Sequence, residues 1–129
     1  MTPEKQKGNA WERAVAAHLN SLPGFGFVKR TAGQGSARDI GDLDLPAVGW
    51  EGQRTGLVGD CKNHRQLRLA EWVDGAAEQA TAYADRFPVG RALGTVFIPR
   101  RGRKPGQGYA VMTIDDWAAL VRLAEGRAA

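Results

Sequence analysis

The feature that most constrains this chain is the stretch TGLVGDCKNH, residues 55 to 64. A turn leads into a short apolar run, and the run ends in an acid, a small residue and a lysine. Its length and content are those of a buried strand. Residues two apart in a strand project to the same face, so Asp60 and Lys62 point together while Cys61 points the other way, toward the core. One face of the strand end therefore carries a carboxylate beside an ammonium. Acid-x-lysine arises by chance in many chains, because charged residues are about a quarter of average composition. Here it occurs once, and the elements around it decide what the pair does.

Residues 4 to 22 carry Trp11, Val15, Leu19 and Leu22 at helical spacing, ended by Pro23 and Gly24. FGFVKRT (25 to 31) has the aromatic and β-branched content of a strand, and AGQGSARDIG then reads as a flexible glycine-rich loop. Extended segments at about 42 to 50 and 57 to 62 flank EGQRTG, a hairpin connection, and are predicted to pair antiparallel. From 67 to 87, Leu69, Trp72, Val73, Ala76, Ala80, Tyr83, Ala84 and Phe87 trace a second amphipathic helix. Strands are predicted at 92 to 98 and 108 to 114 around the basic loop PRRGRKPGQ. Thr113 with Asp116 starts a capping pattern, and Trp117, Leu120, Val121 and Ala124 make a third helical stripe. The predicted order is α-β-β-β-α-β-β-α without repeat, an α/β fold with a mixed central sheet flanked by helices.

With 129 residues and 43% hydrophobic content, the chain is expected to form one domain over residues 1 to 129. Eighteen Lys and Arg against fourteen Asp and Glu leave a net charge of +4, an excess that favours a polyanion such as nucleic acid. Cys61 is the one cysteine, so no intramolecular disulfide forms and a reducing interior is the natural compartment. The N-terminal MTPEKQKGNAWER lacks the apolar core of a signal peptide, and no later run reaches membrane-spanning length. A soluble, cytoplasmic protein is expected, in the host cytoplasm if the source is a phage.

The segment before the buried strand reads DIGDLDL, and a hairpin brings Asp42 or Asp44 alongside Asp60. Two converging carboxylates repel unless a cation sits between them. Carboxylate oxygens suit hard cations such as Mg²⁺, which keeps several waters and shares its shell with substrate phosphate. Lys62 beside that metal polarises a water or meets charge developing on a phosphate. Glu12 lies about 100° around helix one from Trp11, at the border of the buried stripe, where a carboxylate can face inward across a cleft. His18 and His64 with one cysteine make no zinc site, and His18 is expected to pack at the edge of the helix-one stripe.

Glu12 on an N-terminal helix, the "GD" acid Asp42 and DCK at 60 to 62, in this element order, resemble the core of the PD-(D/E)xK nuclease superfamily. KGNAWERAVAAHL, VKRTAGQGSARD and GYAVMTIDDW resemble the archaeal and phage Holliday junction resolvase family, over nearly the whole chain. The resemblance implies a restriction-endonuclease-like αβββαβ core. It also implies a dimeric, Mg²⁺-dependent endonuclease, with Mn²⁺ as a substitute, that nicks four-way DNA junctions symmetrically and leaves 5′-phosphate and 3′-hydroxyl ends. On that resemblance Asp42 and Asp60 hold metal, Glu12 assists, Cys61 between the acid and the lysine is grouped with the metal set, and Lys62 orients the attacking water. The chain departs from the commoner pattern in having Asp before x-Lys and no proline before the first acid, which leaves Asp39, Asp42 and Asp44 in competition. Asp42 is preferred for the glycine before it and Leu43 after it.

Gln79 shares the helix-two face of Trp72, Ala76 and Tyr83, where a buried amide needs partners; similar nucleases carry a Gln near the catalytic lysine, so it joins the catalytic set. Lys29, Arg30, Gln34, Ser36 and Arg38 fall in and before the glycine-rich loop, where backbone N–H groups can approach a phosphate. Arg30 and Ser36 match family positions at DNA. Lys5, Lys7, Arg65, Arg100, Arg101, Arg103 and Lys104 complete a basic surface suited to a DNA groove. The alternatives are a restriction, repair or DNA-processing nuclease of the same fold acting on duplex, flap or branched DNA, and a non-catalytic DNA-binding module. The short chain has no room for a base-reading domain, which favours recognition of shape. Paired nicks from one site per chain call for an isologous homodimer. Helix two, with Trp72, Tyr83 and Phe87, is a candidate for its interface as well as for the monomer core.

Overall fold

The computed structural model describes residues 2–31, 41–49, 54–87 and 89–126, apart from the side chains of Glu4 and Lys5. Gln34, Ser36, Arg38, Asp39 and the Lys5 side chain, all singled out in the sequence, lie outside the described residues. The elements follow the order read from the sequence: helix α1 (Pro3–Ser21), strands β1 (Lys29–Arg30), β2 (Leu43–Val48) and β3 (Thr55–Cys61), helix α2 (Leu69–Arg86), strands β4 (Arg91–Ile98) and β5 (Tyr109–Val111), and helix α3 (Ile114–Ala124). A 3₁₀ turn at Pro105–Gln107 interrupts the basic loop. The result is an α/β fold.

The five strands form one mixed sheet in the order β1-β2-β3-β4-β5. β1, β2 and β3 pair antiparallel, β4 runs parallel to β3 across the α2 connection, and β5 returns antiparallel to β4. A parallel pair needs a crossover, and α2 supplies it. β3 is the middle strand, and helices cover both its faces. On one face Leu43, Leu45 and Cys61 pack under Trp11, Val15 and Ala16 of α1, with Leu57 and Phe97 beside them. On the other, Val58 packs against Ala80 and Tyr83, and Val96 against Trp72 and Ala76, all from α2. Trp72 and Tyr83 are each 6% exposed, so these two residues of the α2 stripe are spent on the monomer core.

Two expectations are corrected. The strand predicted over 25 to 31 shrinks to Lys29–Arg30. The reason is a clamp from α1: the Asn20 side chain accepts the Val28 N–H at 2.7 Å and donates to its carbonyl at 3.1 Å, taking that residue out of any ladder, and Phe27 is left 71% exposed. The third stripe is likewise not a core face. Thr113 does cap α3, accepting the Asp116 N–H at 3.1 Å, but Ala119 is the helix's buried residue while Ile114 and Trp117 are 83% and 58% exposed. His18 packs against Gly106 of the 3₁₀ turn. No helix among the described residues is long and apolar enough to cross a membrane.

Gly94 marks the closest approach of helix and sheet. A Cβ there would collide with the backbone carbonyl of Ala76, which has no side-chain freedom to yield. Gly75, on the same helix, has nothing within 4 Å of an added Cβ. Gly94→Ala is therefore expected to lower unfolding free energy by about 3 kcal/mol or more, and Gly75→Ala to raise it by about 0.5–1 kcal/mol through helix propensity. Urea denaturation of the two variants checks the contrast, and equal midpoints would refute it.

Candidate active site

The register of β2 on β3, Leu43 with Gly59 and Asp44 with Val58, sets Asp42 across from Asp60 one step beyond the end of the ladder. The backbone of Asp42 is held on both sides: its N–H donates to the Gly59 carbonyl and its carbonyl accepts the Thr31 N–H, each at 2.9 Å. Its carboxylate Oδ2 accepts the Cys61 N–H at 2.7 Å. Gly41, just before it, has φ 94°, and an added Cβ would lie 3.3 Å from the Gly59 carbonyl oxygen and 3.6 Å from Gln79 Oε1. Glycine is what allows that bend.

Asp60 is 4% exposed on the α2 face, and Lys62 Nζ stands 3.3 Å from its Oδ2. A buried carboxylate is tolerated when paired in this way. The Lys62 N–H donates to the Phe97 carbonyl at 3.0 Å, and the same oxygen accepts the Trp11 indole N–H at 3.0 Å. Helix α1 is thereby tied to the strand ends from which Lys62 emerges. Beside Trp11, the Glu12 carboxylate is held by Arg30 at 2.8 Å, and its charge still acts on Asp42.

Burial, first, raises the Asp42 carboxyl well above the usual carboxylate range. The neighbouring Asp60, by its charge and a shared hydrogen bond, and Glu12 add to this against the opposing Cys61 N–H, and the group is pushed up to about 7. Near neutral pH the Asp42–Asp60 pair therefore carries a proton between two acids, and a cation can take that place. Burial and the same acids push the Cys61 thiol up, so it stays neutral. Its Sγ packs in the α1 core with Trp11 and Leu43, and its part in the site is the backbone N–H given to Asp42.

Asp44 accepts the buried Tyr83 hydroxyl at 2.8 Å, an interaction that, after burial, raises the tyrosine's pKa. It thus braces β2 against α2. Gln79, 9% exposed, lines a cleft of about 600 Å³ together with Asp60, Lys62, His64, Arg65 and Trp72. Lys7, Arg65, Arg100 and Arg101 line a neighbouring cleft, while Lys29, Arg103 and Lys104 are exposed elsewhere on the surface. Sequence reasoning left His64, Gly75 and Tyr109 out of the site. Gly75 gave a signal, since a glycine inside an amphipathic helix is costly unless space is needed; here it lines the cleft.

Among the described residues no three of His, Cys, Asp and Glu are grouped to hold a metal ion by themselves. Asp42 and Asp60 are nonetheless two hard oxygen donors side by side, which suits an ion that completes its shell with water and phosphate. No family model, curated protein or solved structure matches this chain.

A carboxyl whose folded pKa is raised stabilises the fold fully below its unfolded value, and that stabilisation is lost as pH rises through the folded value. In EDTA, wild type should lose stability between about pH 4 and pH 7 relative to Asp42→Asn, whose amide can accept from Cys61 and donate to Asp60 at any pH. Parallel pH profiles of urea-unfolding free energy would refute this placement of the proton.

Proposed function

We propose that this chain is a divalent-metal-dependent, structure-selective DNA endonuclease of the PD-(D/E)xK type that resolves four-way junctions by paired nicks. The observation that carries the reading is the meeting of Asp42 and Asp60 from adjacent strands, with Lys62 3.3 Å from Asp60; Asp60 and Lys62 line a cleft that Arg65 and Arg68 also line. A pure binder gains nothing from two acids beside a phosphate. The α-β-β-β-α-β order, with the first three strands antiparallel and the next parallel, supports the same reading.

Asp42 and Asp60 suit Mg²⁺ or Mn²⁺, which on binding would neutralise phosphate charge and lower the pKa of a bound water. Hydrolysis forms a bond from water oxygen to phosphorus and breaks the bond to the 3′ oxygen, which takes a proton. Lys62, fixed through its backbone to Phe97, brings a cation with three N–H donors to the developing phosphate charge and to the attacking water. Gln79 lines the same wall as Asp60 and orients polar groups that enter the cleft. Glu12, held by Arg30, keeps a third negative charge near Asp42 and so favours a cation there.

Paired nicks in a two-fold substrate need two copies of the centre, and a homodimer provides them. Its apolar surface is assigned to α3, where Ile114 and Trp117 stand exposed next to edge strand β5.

Asp60→Asn and Lys62→Ala are expected to lower Mg²⁺-dependent cleavage about a thousandfold while junction binding in EDTA persists. Comparing a four-way junction, a flap and a linear duplex measures the structure preference, and metal-dependent cutting by either variant at the wild-type rate sinks the centre. Light scattering should give about twice the 13.9 kDa chain mass. Trp117→Asp should give the monomer with its circular dichroism unchanged, and a dimeric Trp117→Asp would move the interface elsewhere.

A further inference from the structure

Beside the acid cleft lies a second one of about 550 Å³, lined by Lys7, His64, Arg65, Arg100, Arg101 and Tyr109 among others. His64 and Arg65 border both clefts, so the two adjoin each other. The His64 ring is anchored on Trp72, 5.3 Å between centroids. Among the described residues that line the second cleft none is a carboxylate, although acids make up nearly half of the charged residues of the chain. Its floor and walls include apolar groups, Leu67, Ile98 and Pro99. Tyr109 is 54% exposed, and the Arg100 guanidinium lies 5.6 Å from its ring centroid.

An exposed flat ring approached on one side by Arg100, an apolar wall and four exposed cations match a ligand that is itself flat and aromatic at one end and anionic at the other. A free phosphate would use the cations and leave the ring and Leu67 in water. A fully paired duplex turns its base faces inward and offers the ring nothing to stack on. An unpaired nucleotide uses all of these groups at once, since base–aromatic stacking needs a splayed base and the cations track its phosphates. The volume suits one such unit.

We infer that this second cleft seats an unpaired nucleotide of single-stranded DNA, its base stacked on Tyr109 and its phosphates held by Arg65, Arg100 and Arg101. The inference rests on the nuclease reading for the identity of the polyanion, and it narrows the substrate. The strand that crosses the acid cleft leaves it past His64 as a single strand, so the preferred DNA is opened next to the scissile phosphate. Tyr109 is a specificity residue here and touches no reacting atom.

The test is fluorescence anisotropy with the full chain in EDTA, which separates binding from cleavage, using labelled oligo(dT) and a hairpin duplex of equal charge. Tyr109→Ala is expected to weaken oligo(dT) binding by about 5- to 150-fold and to leave duplex binding unchanged, whereas Tyr109→Phe retains wild-type affinity for both. Arg100→Ala should reduce the salt dependence for oligo(dT) by about 0.7 in log–log slope. Equal losses on both DNAs, or none on either, overturn the inference, as does a Tyr109→Phe defect as large as that of alanine. If junctions are cut but Tyr109→Ala binds oligo(dT) normally, the nucleotide seat fails and the nuclease reading stands. If nothing is cut and the stacking signature is present, the nuclease reading fails and the seat stands.

Discussion

Covering one strand on both faces is the constraint on which this molecule depends. β3 has α1 on one side and α2 on the other, so its alternation divides the chain's chemistry in two. Leu57 and Cys61 belong to the α1 layer; Val58 and Asp60 belong to the α2 layer. A carboxylate in that second layer is accommodated because Lys62 pairs with it at 3.3 Å. The register with β2 then decides which acid meets it. A slip of one residue would turn Asp42 to the α1 side and bring Leu43 against Gln79.

The site is a place where three layers are fastened to each other. From one side, the Phe97 carbonyl receives both the Trp11 indole and the Lys62 backbone N–H, so the helix that carries Glu12 and the strand that carries Lys62 share an acceptor. From the other, Gly94 lets α2 sit on the sheet without a Cβ between them, and this brings Gln79 and Trp72 to the edge of the cleft. For the proposed function, such fixing would leave few rotamers to freeze when a substrate arrives.

Charge is distributed with the same economy. Asp42 and Asp60 converge at the strand ends, whereas Lys62, Arg65 and Arg68 line one cleft, with Glu71, and Lys7, Arg100 and Arg101 the cleft that adjoins it. On the nuclease reading, a polyanion drawn by this rim of cations would be delivered to the carboxylates, and a proton or a cation at Asp42 would relieve the repulsion between them and phosphate. In the proposed function the cation does so, and the rim fixes which strand lies in the cleft.

The sequence by itself determined the elements and their order, because helix stripes, turn glycines and a short apolar run have local signatures. It also determined that Asp60 and Lys62 share a face, since strand alternation is a property of the backbone. It did not determine the length of β1, which the Asn20 side chain, eight residues away from Val28, cuts short, nor the exposure of the α3 stripe, because periodicity names an apolar face without saying what covers it. The choice between Asp42 and Asp44 as neighbour of Asp60 was left open by a pattern that gives both the same face. Only the tertiary structure set Asp42 opposite Asp60 and gave Asp44 to the Tyr83 hydroxyl, and only it gathered Lys7, Arg65, Arg100 and Tyr109 into one cleft. Those relations join residues up to about a hundred positions apart, and packing, not local preference, decides which of them meet.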